Sequence, residues 1–255
     1  MIAVDAGAGT VGAFFDLDGT LLAAPSLEWR FVGYLLERDE ISSGHVGRWL
    51  ARFAGGFWYD LQGAMEGNKR YLRGISEELV SGWEKSLAAE YSAGRSLAFF
   101  DEALQRIVWH RAQEHRVFIV SGTLAPLARV VARSLAARVA MNVGVCATEL
   151  EVAAGAARIW NGRVAGEHMS GSAKLRAVRG VAARYGIDLS RSYAYGDSAG
   201  DLQMLEAVGN AIAVNSTRRL ARIARKRSWQ SFVWKKSCGE ISNAASRQLA
   251  SRAAR

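Results

Sequence analysis

Four polar clusters in this 255-residue sequence carry residue types that could handle a phosphoryl group together. Asp16-Leu17-Asp18-Gly19-Thr20 sets two carboxylates two positions apart. Along a strand both would project to one side while Leu17 faces the other. Ser121-Gly122-Thr123 offers hydroxyls and backbone N–H groups, Lys174 an ammonium, and Gly196-Asp197-Ser198-Ala199-Gly200-Asp201 two more carboxylates. Three or four carboxylates converging on one point repel each other unless a cation sits among them. Hard oxygen ligands of this kind suit Mg²⁺, which also takes a phosphate oxygen into its shell. A lysine, a hydroxyl and free N–H groups complement the equatorial oxygens of a phosphoryl group in transfer. The chemistry implied is metal-assisted phosphoryl transfer to a carboxylate. Each cluster alone has a plain structural explanation, since Asp-x-Asp-Gly makes turns and Ser-Gly-Thr caps helices. The combination carries the reading.

The elements predicted around these clusters put them in one place. Ala13–Leu17 is a short apolar run ending in Asp18-Gly19, a buried strand running into a turn. From about Ser26 to Tyr91 the pattern turns helical in LEWRFVGYLLERDE and EELVSGWEKSLAAEY, with no convincing strand. Residues 97–115 read as a further helix and Arg116–Ser121 as a second buried strand. Beyond it come helix 124–137, strand Val139–Val143, a hairpin from Glu149–Val152 and Arg158–Val164, and helix 172–185. Strand Tyr193–Tyr195, helix 201–208, strand Ala211–Val214, a basic helix near 217–227 and a last strand within Ser228–Trp234 complete the chain. Such alternation predicts an α/β fold with a mostly parallel sheet and helices on both faces, whose ligands collect outside the strand carboxyl ends. All four clusters fall at or beside such ends. The helical block between the first two strands is too long for one crossover. It reads as an inserted α-helical cap at residues 24–90, with residues 1–23 and 91–255 forming a discontinuous core.

FFDLDGTLL, IVSGT, the lysine of GSAKLRAV and YGDSAGDLQML resemble the four motifs of the haloacid dehalogenase-like (HAD) hydrolase superfamily. The helical segment between the first two is similar to the cap of its phosphoserine phosphatase-like members. The resemblance runs from about Ala13 to Trp234 and implies a Rossmann-like doubly wound core. It implies a Mg²⁺-dependent phosphatase that hydrolyses a small phosphomonoester through an aspartyl-phosphate. Asp16 would be the nucleophile, and Asp18 the general acid and then base. An acid at that second position separates phosphatases of the superfamily from its dehalogenases and transport ATPases. Ser121 and the Gly122 N–H would hold phosphoryl oxygens, and Lys174 would offset the charge on Asp16. Asp16, the Asp18 carbonyl and Asp197 would hold Mg²⁺, with Asp201 acting through a metal-bound water or through Lys174. Two departures bear on the substrate. Pro25 stands where phosphoserine phosphatases carry the glutamate that meets the substrate amino group, and Glu28 is out of register. Ser198 and Gly200 replace a glycine and an asparagine of the fourth motif. Phosphoserine is therefore not the expected substrate; a small phosphorylated metabolite is. A phosphotransferase or phosphomutase with the same nucleophile is the enzymatic alternative, and a non-catalytic binding protein the alternative of another class.

Several other signals in the sequence have plainer readings. Gly7-Ala8-Gly9-Thr10-Val11-Gly12 matches a dinucleotide fingerprint, yet a strand and not a helix follows it, so it reads as a lead-in. Trp29, Trp49, Trp58 and Trp83, half of the chain's eight tryptophans, read as the core of the cap rather than a substrate pocket. Arg30, Lys69, Arg70 and Arg73 read as solvated charges. His45, His110, His115 and His168 form no metal-ligand pair; only His168 lies near a motif, on the loop leading to Lys174. Cys146 and Cys238 are far apart and read as reduced thiols. The opening residues lack the basic start of a secretory signal, and no run approaches 18 apolar residues, so the expected location is cytoplasmic.

Composition fits a folded chain: 50% hydrophobic, 22% charged, two prolines. The net charge of +9 is not spread evenly. From Arg218 onward there are eleven Lys or Arg against one acid, Glu240, so residues 1–217 hold 22 bases and 23 acids. The basic segment RRLARIARKRSWQSFVWKK interleaves aromatics and would suit weak contact with an anionic surface through residues 218–236. One variant of the phosphatase reading makes it a recruiter to phospholipid head groups. The plainer reading is an exposed last helix and an edge strand, with no nucleic-acid partner.

Overall fold

A computed structural model describes residues 9–42, 69–92, 97–155 and 158–235. The strands are β1 (Gly12–Phe15), β2 (Arg116–Leu124), β3 (Val143–Thr148), β4 (Leu150–Val152), β5 (Trp160–Val164), β6 (Tyr193–Gly196), β7 (Asn210–Val214) and β8 (Gln230–Phe232). Six of them form one sheet in the order β3-β2-β1-β6-β7-β8, and every pairing is parallel. β4 and β5 form a separate antiparallel pair. The helices are α1 (Leu27–Glu37), α2 (Glu78–Ser92), α3 (Asp101–Ala112), α4 (Ala125–Val139), α5 (Ser172–Tyr185), α6 (Leu202–Glu206) and α7 (Arg218–Lys226), with short 3₁₀ turns at Arg70–Leu72 and Ala199–Asp201.

The central strands β1, β2, β6 and β7 are largely apolar because both faces of the sheet are covered there. Alternation along each strand divides the core in two. Phe15, Val117, Ile119, Tyr195 and Ile212 pack to one side with Ala103 and Ile107 of α3 and Leu127, Val131 and Leu135 of α4. Phe14, Phe118, Val120, Ala194, Ala211 and Ala213 pack to the other with Val178 of α5, Met204 and Leu205 of α6, and Leu220 and Ala224 of α7. This is the doubly wound arrangement expected from the strand–helix alternation.

Three element boundaries correct the sequence reading. The expected strand at Val139–Val143 lies further on, at Val143–Thr148. Leu135 and Val139 continue the buried stripe of α4, which ends only where Ala140 turns left-handed at φ 48°. The helix expected over 97–115 begins at Asp101. Phe99 lies in an extended stretch, bridged to Leu22 before the helix starts. The helix expected over 201–208 is α6 alone, entered through a 3₁₀ turn.

The described part of the insertion is helical and shares its core with the sheet. Phe31 of α1, Tyr71, Leu72 and Trp83 of α2 are buried in one cluster with Trp160 of β5 and Leu127 of α4. The Gly74 and Glu77 N–H groups donate to the Trp160 and Arg158 carbonyls, and the Trp160 N–H donates to Ile75 O. Gly162, at φ 80°, leaves room for the turn at Arg70: a Cβ there would lie 2.9 Å from the Arg70 Cα. Trp83 is core, as expected, while Trp29 is 42% exposed; Trp49, Trp58, His45 and Cys238 lie outside the described residues. Cys146, on β3, is partly buried, and burial pushes its thiol up. Gly12 of the glycine-rich start opens β1 directly, so no helix is there to receive a pyrophosphate.

Candidate active site

Three of the four motifs lie at the carboxyl ends of the central strands β1, β2 and β6, and the fourth, Lys174, starts α5. β1 lies between β2 and β6, with Phe15 opposite both Ile119 and Tyr195, so the residues after all three strands face a common opening. The Asp16 N–H donates to the Tyr195 carbonyl at 2.9 Å, extending the β1–β6 ladder by one step and fixing the Asp16 backbone. Lys174, in the first turn of α5, is buried, and its Nζ reaches Asp16 Oδ1 at 2.6 Å and Asp201 Oδ1 at 2.5 Å. Burial alone would lower the lysine's pKa; the two carboxylates outweigh it and hold the ammonium charged. Burial pushes Asp16 up, Lys174 pulls it back, and Asp201 and Asp197 add repulsion.

Asp201 braces the loop that carries Asp197. Its Oδ2 accepts the N–H groups of Asp197 (3.1 Å) and Ser198 (2.9 Å) and the Ser198 hydroxyl (3.0 Å). Serine in place of the expected glycine thus completes a cap that orients the Asp197 loop. Ligand oxygens of Asp16, Asp197 and Asp201 all lie within 4.8 Å of one another. Burial and the neighbouring Asp201 raise Asp197 to about 7. Three carboxylates against one ammonium leave buried negative charge in excess, and the donors are all hard oxygen. That set fits a small divalent cation. Gly19, at φ 86°, is the only residue type its place allows, because a Cβ would lie 2.4 Å from Asp197 Oδ2.

Asp18 stands apart from this group. Its Oδ1 accepts the Leu27 N–H at 2.7 Å, from the N-terminus of α1, and its Oδ2 accepts the Thr123 hydroxyl at 2.5 Å. Burial raises its pKa, while those two bonds oppose the shift. A carboxyl whose pKa is raised is better able to carry a proton and to donate it. On β2, the Ser121 hydroxyl oxygen accepts the Thr123 N–H at 3.2 Å, leaving its own proton for another acceptor. The Gly122 carbonyl accepts the Thr148 hydroxyl at 2.7 Å.

All seven predicted residues therefore lie around the ends of β1, β2 and β6 and the start of α5. Sequence reasoning passed over Thr123, Thr148, Ser198 and the α1 N-terminus. Thr123 was visible as the third residue of Ser-Gly-Thr. Thr148 carried no signal, since its bond spans 26 residues. Beside the site, Lys69 donates to both oxygens of Glu28 at 2.8 and 2.7 Å, and Tyr71 OH bonds the same carboxylate. Lys69 is buried, so the sequence reading of it as a solvated charge is corrected: the turn over Gly162 folds it inward to pair with Glu28.

The arrangement has close counterparts. A family model described as haloacid dehalogenase-like hydrolase matches residues 13–206. The chain is 30% identical over 233 residues to a Mycobacterium tuberculosis protein named phosphoserine phosphatase SerB1, covering 87% of this chain and 70% of that one. Among solved structures, a Bordetella pertussis protein of unknown function superposes at TM-score 0.69 with 22% identity, over 88% of this chain and 99% of that one. A phosphoserine phosphatase structure described as a phospho-aspartyl intermediate analogue matches at TM-score 0.56 and 19% identity, over 90% and 96% of the two chains.

Proposed function

The chain belongs to the haloacid dehalogenase-like hydrolase family, and we propose that it is a Mg²⁺-dependent phosphatase that hydrolyses a small phosphomonoester through an aspartyl-phosphate on Asp16. The observation that carries this reading is the pairing of two differently held carboxyls. Asp16 is bound to Lys174 at 2.6 Å, and Asp18, two residues on, is held by Thr123 and the α1 N-terminus with its pKa raised by burial. In this mechanism Asp16 Oδ attacks phosphorus while the ester P–O bond breaks, and Asp18 gives its proton to the leaving oxygen. Asp18 then takes a proton from the water that attacks the acyl phosphate, which restores Asp16. Ser121 and the Gly122 N–H hold phosphoryl oxygens, and Lys174 offsets the charge that builds up beside Asp16. Asp16, the Asp18 carbonyl and Asp197 would hold Mg²⁺, whose bound charge would polarise the phosphoryl oxygens. Asp201 acts through Lys174 and the Asp197 loop, to which it is bonded.

Residues 24–90 are the cap in this proposal, and the Leu27 N–H on Asp18 is its link to the acid. The relative's name points to phosphoserine; the residues around α1 favour another substrate. Pro25 offers no carboxylate, and both oxygens of Glu28 already accept from the Lys69 ammonium rather than standing open to a substrate ammonium. We read the leaving group as one without that amine. Assay of Asp16→Asn with an aryl phosphate and Mg²⁺ tests the mechanism. The expected result is a loss of at least about a thousandfold in kcat with an unchanged melting temperature. A folded variant with full activity would overturn the reading. Phosphate release from a panel of phosphorylated metabolites, with phosphoserine included, tests the substrate class.

A further inference from the structure

We propose that His168 is a positioning residue for the phosphate-binding loop: together with Thr148 it clamps Gly122 so that the Ser121 and Gly122 donors are preset for a phosphoryl group. This inference rests on the phosphatase reading.

The clamp follows from counting protons. Thr148 is fully buried, and its hydroxyl has one proton, which it gives to the Gly122 carbonyl at 2.7 Å. Its oxygen accepts the Met169 N–H at 3.1 Å and lies 3.2 Å from His168 Nδ1. With the threonine proton already committed, Nδ1 must be the donor, so the ring carries a proton there. The opposite nitrogen closes over the loop. A Cβ placed on Gly122 would meet His168 Nε2 at 2.8 Å, closer than side-chain carbons approach. The ring therefore covers Gly122 on one side and, through Thr148, grips its carbonyl on the other.

This second contact has a consequence for Ser121. The Gly122–Thr123 peptide is held at both ends, its oxygen by Thr148 and its N–H by Ser121 Oγ at 3.2 Å. Ser121 Oγ is thereby fixed as an acceptor, and its proton is left for a phosphoryl oxygen. Without His168, Thr148 keeps only the Met169 N–H as a donor, and its hold on the Gly122 carbonyl is less firmly oriented. Ser121 and Gly122 would hold phosphoryl oxygens in the substrate and in the transition state alike. Loosening them should weaken binding of both about equally, which raises KM and leaves kcat nearly unchanged.

Four variants test the clamp: His168→Ala, His168→Asn, His168→Gln and Thr148→Val. The readouts are melting temperature, kcat and KM with an aryl phosphate and Mg²⁺, and calorimetric Kd for inorganic phosphate. His168→Ala is expected to raise KM and the phosphate Kd together, by about five- to tenfold, the size of one hydrogen bond, with kcat within about twofold. Asparagine places an amide N–H where Nδ1 stands and should restore both constants; glutamine, whose amide falls at the Nε2 end, should not. Thr148→Val should reproduce the alanine effect and keeps the test alive if His168→Ala does not fold. Unchanged phosphate Kd in folded His168→Ala or Thr148→Val, a fall in kcat without a rise in KM, or rescue by glutamine alone would each overturn the clamp. If the wild-type protein neither binds phosphate nor cleaves the aryl ester, the phosphatase reading itself fails, a distinct result.

Discussion

The residues of the site show how one buried setting gives two similar groups different partners. Asp16 and Asp18 are both pushed up by burial, but only Asp16 has an ammonium on it; Asp18 has neutral donors. The same logic reaches a titratable group outside the site. His110 is fully buried on α3 against Phe15 of β1 and Tyr195 of β6, with Nε2 2.9 Å from Tyr195 OH and Nδ1 2.8 Å from His115 Nδ1. Burial, then the charges of His115 and Arg106, lower its pKa to about 3 from the usual 6.5. The unfolded chain therefore binds this proton between pH 6.5 and about 3 while the native protein does not. The stability His110 contributes is complete above that window and is lost as pH falls through it. Relative to His110→Gln, the wild-type protein should lose about 1.4 kcal/mol per pH unit across the window. Urea unfolding at several pH values measures it, and parallel pH profiles for the two proteins would contradict it.

At the scale of elements, the insertion and the β4–β5 hairpin are one packing problem. Trp160 is 1% exposed and meets Phe31 of α1 edge-on at 6.3 Å, while its backbone bonds the chain at Gly74 and Ile75. Phe31 also packs against Trp83 of α2 at 5.5 Å. The same α1 carries the Leu27 N–H to Asp18, so loosening this seam should disturb the acid as well as the fold. Trp160→Ala should cost about 3–5 kcal/mol, the usual toll of emptying a large aromatic site. Denaturant unfolding gives the energy, and a fall in kcat in the folded variant gives the link to Asp18. An unaltered kcat would show that the seam only holds the hairpin in place.

Across the whole molecule, the described part of the basic segment, α7 and β8, lies at the β8 edge of the sheet. Leu220 and Ala224 bury the apolar face of α7, and its exposed residues are four arginines and Lys226. Arg218, Arg222 and Arg225 line a groove with Ser216 and Ser231 beside edge strand β8. A helix whose apolar face is already packed attracts anions by charge and does not insert into a bilayer. Among the described residues no helix is long and apolar enough to cross a membrane. We expect Arg218→Gln/Arg222→Gln/Arg225→Gln to weaken retention on anionic vesicles at low salt while leaving kcat unchanged. Equal retention of both proteins would make these arginines plain surface charge. The strand–helix alternation, the four motifs and their order were legible in the amino-acid sequence, because apolar period and motif spacing are local properties. The end of α4 and the start of β3 were not, because Val139 and Val143 are alike in apolar character and only burial against the sheet divides them. Asp16, Asp18, Ser121, Gly122, Lys174, Asp197 and Asp201 could be named from sequence alone. That Lys174 joins Asp16 to Asp201, that Lys69 occupies Glu28, and that Thr148 and His168 close on Gly122 was decided by the tertiary structure. Those contacts join residues 20 to 158 positions apart. Which polar group finds a partner across such distances is set by how the strands and the insertion pack, and no local pattern records it.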